Sequence, residues 1–237
     1  ANIPELVILT LKFAREQAIV MYTLRQLTIP CSLAALIAYQ SLTVLPIILG
    51  ALVDYRGFKL ANVGYVGSVE ILGMALAVGI STGLINRVPR NRLAFIAAIA
   101  LGLTQISSAF TLAHSLFFAE RFVAGLSAGC LAGVLASTIA LAQAPERLTA
   151  FIYLIDALLA SLLYLFLPAV IVRFELAGAY ALLGAATLII APVFLLLPAR
   201  GPAATPASAG LRKDAMRVIG FAIILSAAAA AHWTFTE

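Results

Sequence analysis

Long apolar stretches alternate with short polar joints along most of this chain. Each stretch carries almost no charge and runs for about 20 residues or more, the length that takes a helix across the hydrocarbon core of a bilayer. In lipid every backbone amide must be satisfied within the protein, so such spans form helices. The pattern predicts six spans: Ile29–Val53, Leu60–Ile85, Leu93 to about Leu112, Leu116–Leu141, Leu148–Val172 and Leu176–Leu197.

The two ends of the chain flank this predicted bundle of residues 29–197. Residues 1–28 are predicted to be cytoplasmic, and both an interfacial amphipathic helix and a disordered leader agree with their mixture of apolar and charged positions. Residues 198–216 are rich in proline and small side chains, which is typical of a flexible linker. Residues 217–237 open a seventh apolar run. We therefore expect a linker followed by the start of a second half.

Composition agrees with a protein whose solvent is lipid. Of its 237 residues, 63% are hydrophobic and 11% are charged, whereas a soluble domain has about 45–50% apolar and about 25% charged residues. The net charge of +5 does not indicate nucleic-acid binding, because the basic residues are spread over the joints. Cys31 and Cys130 fall inside apolar spans as small hydrophobic side chains. No spacing in the sequence indicates a metal site or a cofactor.

The basic residues divide unequally between alternate joints. Only Arg56, Lys59 and Arg173 fall on one side, and Arg121 lies inside a span. The remaining 11 of the 15 basic residues fall on the other side, together with the N-terminal segment: Lys12, Arg15, Arg25, Arg87, Arg90, Arg92, Arg147, Arg200, Arg212, Lys213 and Arg217. Cytoplasmic loops carry such an excess of positive charge. The pattern therefore predicts a multi-pass protein of the inner (plasma) membrane with a cytoplasmic N-terminus.

Four segments have a form that is known from one family. They are residues 82–92 (TGLINRVPRNR) between the second and third spans, residues 121–129 (RFVAGLSAG) in the fourth span, residues 144–147 (APER), and residues 45–50 (LPIILG). In this order they resemble the major facilitator superfamily of secondary transporters. The resemblance implies an all-helical N-terminal bundle of six spans that rocks against a second six-helix half, from the same gene or from a homodimer partner.

The joint between the second and third spans departs from the family pattern. Asn86 stands where the family usually has aspartate, and Pro89 stands where it usually has a turn glycine. The resemblance implies that Asn86, Arg87 and Arg90 belong to a charge network that latches the two halves together. Because asparagine keeps a hydrogen bond but lacks the charge, we expect a weakened latch.

Ionisable residues inside the spans are the main candidates for chemistry, because a charge at a helix centre costs at least about 2.5–3.5 kcal/mol. Glu70 lies near the middle of the second span and Asp156 lies in the fifth, and either could bind and release a proton. Arg121 could hold an anionic substrate or influence the acid. The alternative for Glu70 is a protonated or paired structural carboxyl between helices, and the alternative for Arg121 is an extension of its side chain to the outer interface or a structural ion pair. Glu120 is expected to face the membrane interface, because adjacent helical residues point in different directions.

Other positions predict a cavity and close helix packing. Tyr39 and Gln40 offer a hydroxyl and an amide in the first span, which lines the central cavity in the resembled family; interhelical hydrogen bonding is the alternative. Gly125, Gly129 and Gly133 recur every four residues and form one stripe on the fourth span. Glycines at this spacing allow a neighbouring backbone to approach closely.

These features predict a secondary active transporter that moves a small-molecule substrate across the bilayer by alternating access, coupled to protons. A six-helix half that does not transport, or that dimerises, is the alternative. A remote alternative is an intramembrane serine hydrolase, because residues 125–129 match G-x-S-x-G with Ser127 as nucleophile and His114 or His232 as base. That motif requires a strand–turn–helix context, so we do not expect an enzyme.

Overall fold

A computed structural model describes residues 24–200 of the chain. Residues 1–23, most of the predicted linker and the start of the predicted seventh helix lie outside the described residues. Within residues 24–200 the chain forms helices and no strand: α1 (Leu24–Thr43), α2 (Leu45–Arg56), α3 (Leu60–Leu84), α4 (Arg90–Phe110), α5 (His114–Ile139), α6 (Pro145–Ile190) and a short 3₁₀ helix (Ala191–Leu196).

The described helices are long and apolar enough for a multi-pass membrane protein. Helices α3, α4 and α5, together with the stretch Pro145–Leu196, each meet the length and hydropathy expected of a membrane span. The pair α1 and α2 meets it jointly. The all-helical fold and the membrane class predicted from the sequence are therefore supported by this part of the chain.

The first predicted span is broken near its middle. Helices α1 and α2 meet at Val44 with a bend of 44°, and Pro46 lies in the first turn of α2. Proline has no amide hydrogen and its ring collides with the carbonyl four residues earlier, so a continuous helix is unfavourable here. Helix α2 ends at Gly57, whose φ of 66° is the left-handed conformation that glycine adopts readily.

Helix α6 is divided into two arms at Glu175, the last residue of the predicted joint between the fifth and sixth spans. Glu175 has φ 56° and ψ −163°, which no helical residue adopts. The Tyr164 hydroxyl donates to the carbonyl of Thr43, and Gln40 donates to Thr187 at 2.8 Å. A straight helix would place positions 164 and 187 about 35 Å apart, yet both reach the same turn of α1. The chain therefore reverses at Glu175 into a first arm (residues 145–174) and a second arm (residues 176–190).

Two other joints lie a few residues earlier than predicted. His114, expected in an outer joint at residues 113–115, is the first residue of α5, so that the connection is residues 111–113. Pro145, Glu146 and Arg147 form the first turn of α6, where proline is favoured because its missing amide hydrogen is not needed.

The alternate joints lie at opposite ends of the bundle. At one end the amide of Arg90 donates to the carbonyl of Ala199 at 2.9 Å. At the other end the Arg56 guanidinium donates to the carbonyls of Ala109, at 2.8 Å, and Thr111, which terminate α4. Apart from Arg121, the basic residues of the described region thus lie at or near joints that alternate between two ends of a helical bundle, as the sequence pattern predicts.

Candidate functional site

The closest helix pair in the described region is α3 with α5. A Cβ atom on Gly125 would overlap the main-chain carbonyl of Glu70, and one on Gly129 would overlap that of Met74. Both pairs are offset by 55 residues (125 − 70 and 129 − 74), so the two helices run in the same direction in constant register. A Cβ on Gly133 would collide with the side chain of Ser81. The predicted glycine stripe is therefore the surface of α5 on which α3 rests.

This register brings Glu70 and Arg121 together. Gly125 touches the backbone of Glu70, and Arg121 lies one turn earlier on α5, so the two side chains meet beside the glycine contact. Arg121 Nη1 lies 3.8 Å from Glu70 Oε2, and the two side chains are 1% and 6% exposed. Removing one partner of such a buried pair leaves an uncompensated charge, which costs far more than loss of a surface pair.

The guanidinium of Arg121 has further partners on α4 and α6. Its Nη1 donates to Gln105 Oε1 at 3.1 Å, and its Nη2 donates to Ser108 Oγ at 2.6 Å. Its carbon Cζ lies 4.6 Å from the centre of the Tyr180 ring and 5.5 Å from that of Phe117. Arginine is suited to this setting because its planar, weakly hydrated fork bonds in fixed directions and stacks on aromatic rings.

Glu120 does not face the membrane interface, contrary to the sequence prediction. It is only 9% exposed. Its carboxylate accepts hydrogen bonds from the hydroxyl groups of two residues of α4, Ser107 at 2.5 Å and Ser108 at 2.8 Å, and of Thr111 at 2.7 Å, the residue that follows α4. The prediction failed because it considered only the direction of Glu120 relative to Arg121. It did not consider that the neighbouring helix presents hydroxyls at this level.

A small cavity borders the Glu70–Arg121 pair. Its volume is ≈ 10 Å³, about enough for one water molecule. Glu70 Oε1 and Arg121 Nε are buried and have no hydrogen-bond partner among the described residues. The cavity is lined by Glu70, Arg121, Tyr180 and Ser41 together with apolar side chains: Val44, Leu45, Ile48, Val66 and Leu183.

The remaining predicted site residues lie apart from this pair. Gln40 is 3% exposed and donates to Thr187 Oγ1, so its amide ties α1 to the second arm of α6. Tyr39 is half-buried and interacts electrostatically with Tyr153 and Asp156 of the first arm. Glu70 and Asp156, the two predicted proton-coupling candidates, therefore have separate surroundings.

The joint between α3 and α4 is held by local contacts. Asn86 Nδ2 donates to the carbonyl of Thr82 at 3.4 Å, and Arg90 Nε donates to Ser137 Oγ at 3.2 Å. Arg87 is exposed. Arg90 thus connects the basic joint to the end of α5 within the bundle.

Ser127 lies in the interior of a continuous helix. Its hydroxyl donates to the carbonyl of Val123 at 2.9 Å, and the strand–turn–helix geometry of a nucleophile elbow is not present around it. His114 is 13 positions earlier on the same helix, about 20 Å along its axis. His232 lies outside the described residues.

Gln105, Ser108 and Tyr180 belong to the site but were not selected from the sequence. Gln105 and Ser108 are three residues apart in an apolar span, and that spacing puts both on one helix face. Polar side chains at such spacing form hydrogen bonds between membrane helices, so this signal was present. Tyr180 offered no comparable signal, because its position depends on the reversal at Glu175.

No protein-family model matches the chain, and no curated protein matches it.

Proposed function

We propose that this chain forms one half of a proton-coupled secondary active transporter of the major facilitator type, in which Glu70 is the proton carrier and Arg121 its charged partner. The observation that carries the proposal is the buried Glu70–Arg121 pair beside a cavity, inside an apolar bundle. Intramembrane ionisable groups are costly and commonly mark proton or substrate pathways.

The helix arrangement supports the family assignment. If α1 and α2 act as one broken span and the two arms of α6 act as two, the described helices supply the six spans that the proposal requires. The glycine contact between α3 and α5 and the buried Arg121 coincide with the segment that resembles the family's fourth-helix motif. The excess of basic residues on one side favours an inner-membrane protein with that side in the cytoplasm.

Transport by this mechanism needs a second bundle. Substrate sites of such transporters lie between two repeats that rock about a shared midplane. Tyr39 and Asp156, on α1 and the first arm of α6, are half-buried polar groups that such a cavity could use for a small-molecule substrate.

Uptake into proteoliposomes tests the proposal. The full-length protein is reconstituted under an imposed pH gradient, and a panel of labelled small solutes is screened for accumulation. For the solute that accumulates, Glu70→Gln should abolish pH-driven uptake while leaving exchange without a gradient measurable, because glutamine cannot release a proton. Glu146→Gln is the matched control, since Glu146 is an exposed glutamate in the first turn of α6. Undiminished proton coupling in Glu70→Gln would reject the assignment of Glu70.

A helical half without transport activity is the second candidate, and the exposure of α6 favours it. Only 11% of an apolar stretch of 18 residues within Pro145–Leu196 is buried, so the surface of this stretch is available to lipid or to another bundle. Crosslinking in native membranes distinguishes the two candidates. A homodimer that accumulates none of the solutes would support the second.

A further inference from the structure

Two carboxylates lie near Arg121, and their hydrogen bonding differs. Glu120 lies 2.5–2.8 Å from three hydroxyl groups that can donate to it. Glu70 interacts with one hydroxyl group, that of Ser41, and its Oε1 has no partner among the described residues. An ionised carboxylate can only accept hydrogen bonds, so three donors match the ionised form of Glu120. Glu70 borders the cavity, where a single water could exchange a proton with it.

Ser108 links Glu120 to Arg121. Its Oγ accepts from Arg121 Nη2 at 2.6 Å and lies 2.8 Å from Glu120 Oε2. Its single proton can go to that carboxylate or to the carbonyl of Thr104 at 2.9 Å. When Ser108 donates its proton to Glu120, hydrogen bonds through Ser108 connect the Arg121 guanidinium to the Glu120 carboxylate.

Arg121 stays charged at every attainable pH. If Glu70 were its only counter-ion, protonation of Glu70 would leave a buried cation without compensation, which is strongly unfavourable. A proton carrier beside an arginine therefore needs a second negative charge that does not titrate with it.

We propose that Glu120 is the permanent counter-ion of Arg121, a positioning residue that leaves Glu70 free to take up and release a proton. This inference rests on the proposed function of Glu70. The charged and titratable groups around Glu120 are Arg121 on its own helix, Arg56 of α2 and Tyr180 of α6; Tyr180 interacts electrostatically with Glu120, Arg56, Arg121 and Glu70. With Glu120 ionised, a proton on Glu70 leaves this cluster of two arginines and two glutamates at a net charge of +1, whereas without the Glu120 carboxylate it would be left at +2.

Labelling with dicyclohexylcarbodiimide tests the proposal without a substrate. This apolar reagent adds to protonated carboxyl groups, and adducts on Glu70 and Glu120 are quantified by mass spectrometry of the full-length protein in detergent across a pH series. We expect adducts on Glu70 and none on Glu120. In Glu120→Gln, Glu70 must remain ionised to balance Arg121. At the pH of half-maximal wild-type labelling, its labelling should therefore fall about fivefold, which corresponds to a shift of one pH unit in the titration.

A second variant keeps the test decisive if Glu120→Gln does not fold. Ser107→Ala combined with Thr111→Val retains the carboxylate but removes two of its three donors, and adducts should then form on Glu120. Glu146→Gln is the control. It should give the gel-filtration profile of the wild type and leave the labelling of Glu70 unchanged.

The outcomes separate this proposal from the proposed function. If Glu70 is labelled equally in the wild type and in Glu120→Gln, or if wild-type Glu120 is labelled, Glu120 is not the permanent counter-ion, whereas the proton carrier stands. If Glu70 is never labelled in the wild type, both assignments are rejected.

Discussion

Helix α5 presents two faces that are built in different ways. Against α3 it offers Gly125 and Gly129, where no side-chain atom fits between the backbones, and Gly133, which leaves room for the side chain of Ser81. Against α4 it offers Glu120 and Arg121, which bond to hydroxyl and amide side chains at 2.5–3.1 Å. The first face depends on shape and the second on charge and hydrogen bonding.

The difference shows how the site is positioned. Because the glycine face allows no gap, it fixes the register of α3 and with it the backbone of Glu70. The polar face then holds Arg121 in place from the other side. The Glu70 carboxylate and the Arg121 guanidinium meet because the glycine face sets the distance between α3 and α5.

The largest expected effect is the loss of the cation on the polar face. Arg121→Ala should lower the free energy of unfolding by about 3–5 kcal/mol, because it leaves two buried carboxylates without compensation. Unfolding in mixed detergent micelles, followed by circular dichroism, measures this. Arg121→Lys keeps the charge but loses the fork and its stacking on Tyr180, so an intermediate loss is expected. A loss no larger than that caused by Arg147→Ala, at an exposed arginine, would contradict the role of the polar face.

The glycine face should be intolerant of a single methyl group. Gly125→Ala is expected to cost about 1–3 kcal/mol, because the added carbon meets the backbone of Glu70, which cannot turn aside as a side chain can. Gly64→Ala on α3 is the matched control, since no atom lies within 4 Å of its Cβ position. Equal stability of the two variants, measured by the same unfolding experiment, would show that α3 and α5 are not in close contact.

The two faces also differ in how far the sequence predicts them. The stripe at positions 125, 129 and 133 predicts a close approach from spacing alone, but α3 as the partner is fixed only by tertiary packing. Glu70 and Arg121 were selected individually as costly charges in lipid. Their pairing needs the 55-residue register between two helices, and no local signal encodes it.

The misplacement of Glu120 has a similar cause. Its environment is supplied by Ser107, Ser108 and Thr111 of the preceding helix and joint, and a reading of α5 alone cannot include them. The apolar lengths predicted the bounds of α3, α4 and α5 to within three residues, because the bilayer imposes one length on every helix. The joint at Glu175 was predicted in the right place from its charged residues, whereas the joint near His114 was displaced by about two residues, because it contains little polar sequence.

Loss of one hydroxyl on the polar face should have a modest effect. Ser107→Ala removes one of three donors to Glu120 and should cost about 0.5–1.5 kcal/mol, the usual net value of a hydrogen bond. In Glu120→Gln the same substitution should cost less, because the acceptor is no longer an anion. A double-mutant cycle with these two variants measures the coupling, and a coupling of zero would mean that the contact does not contribute to stability.

The smallest effect is expected at Ser127, which takes part in neither set of contacts. Its hydroxyl donates only to the carbonyl of Val123 within α5, in the described region, so Ser127→Ala should change the free energy of unfolding by less than about 0.5 kcal/mol. This substitution also tests the hydrolase alternative, because a fluorophosphonate probe forms an adduct only with an activated serine. We expect no adduct on wild-type Ser127, since its proton is directed to the helix backbone and no base lies in the same turn. An adduct that disappears in Ser127→Ala would assign a nucleophile to the centre of α5. It would also require that α5 open at the point where the glycine face holds α3.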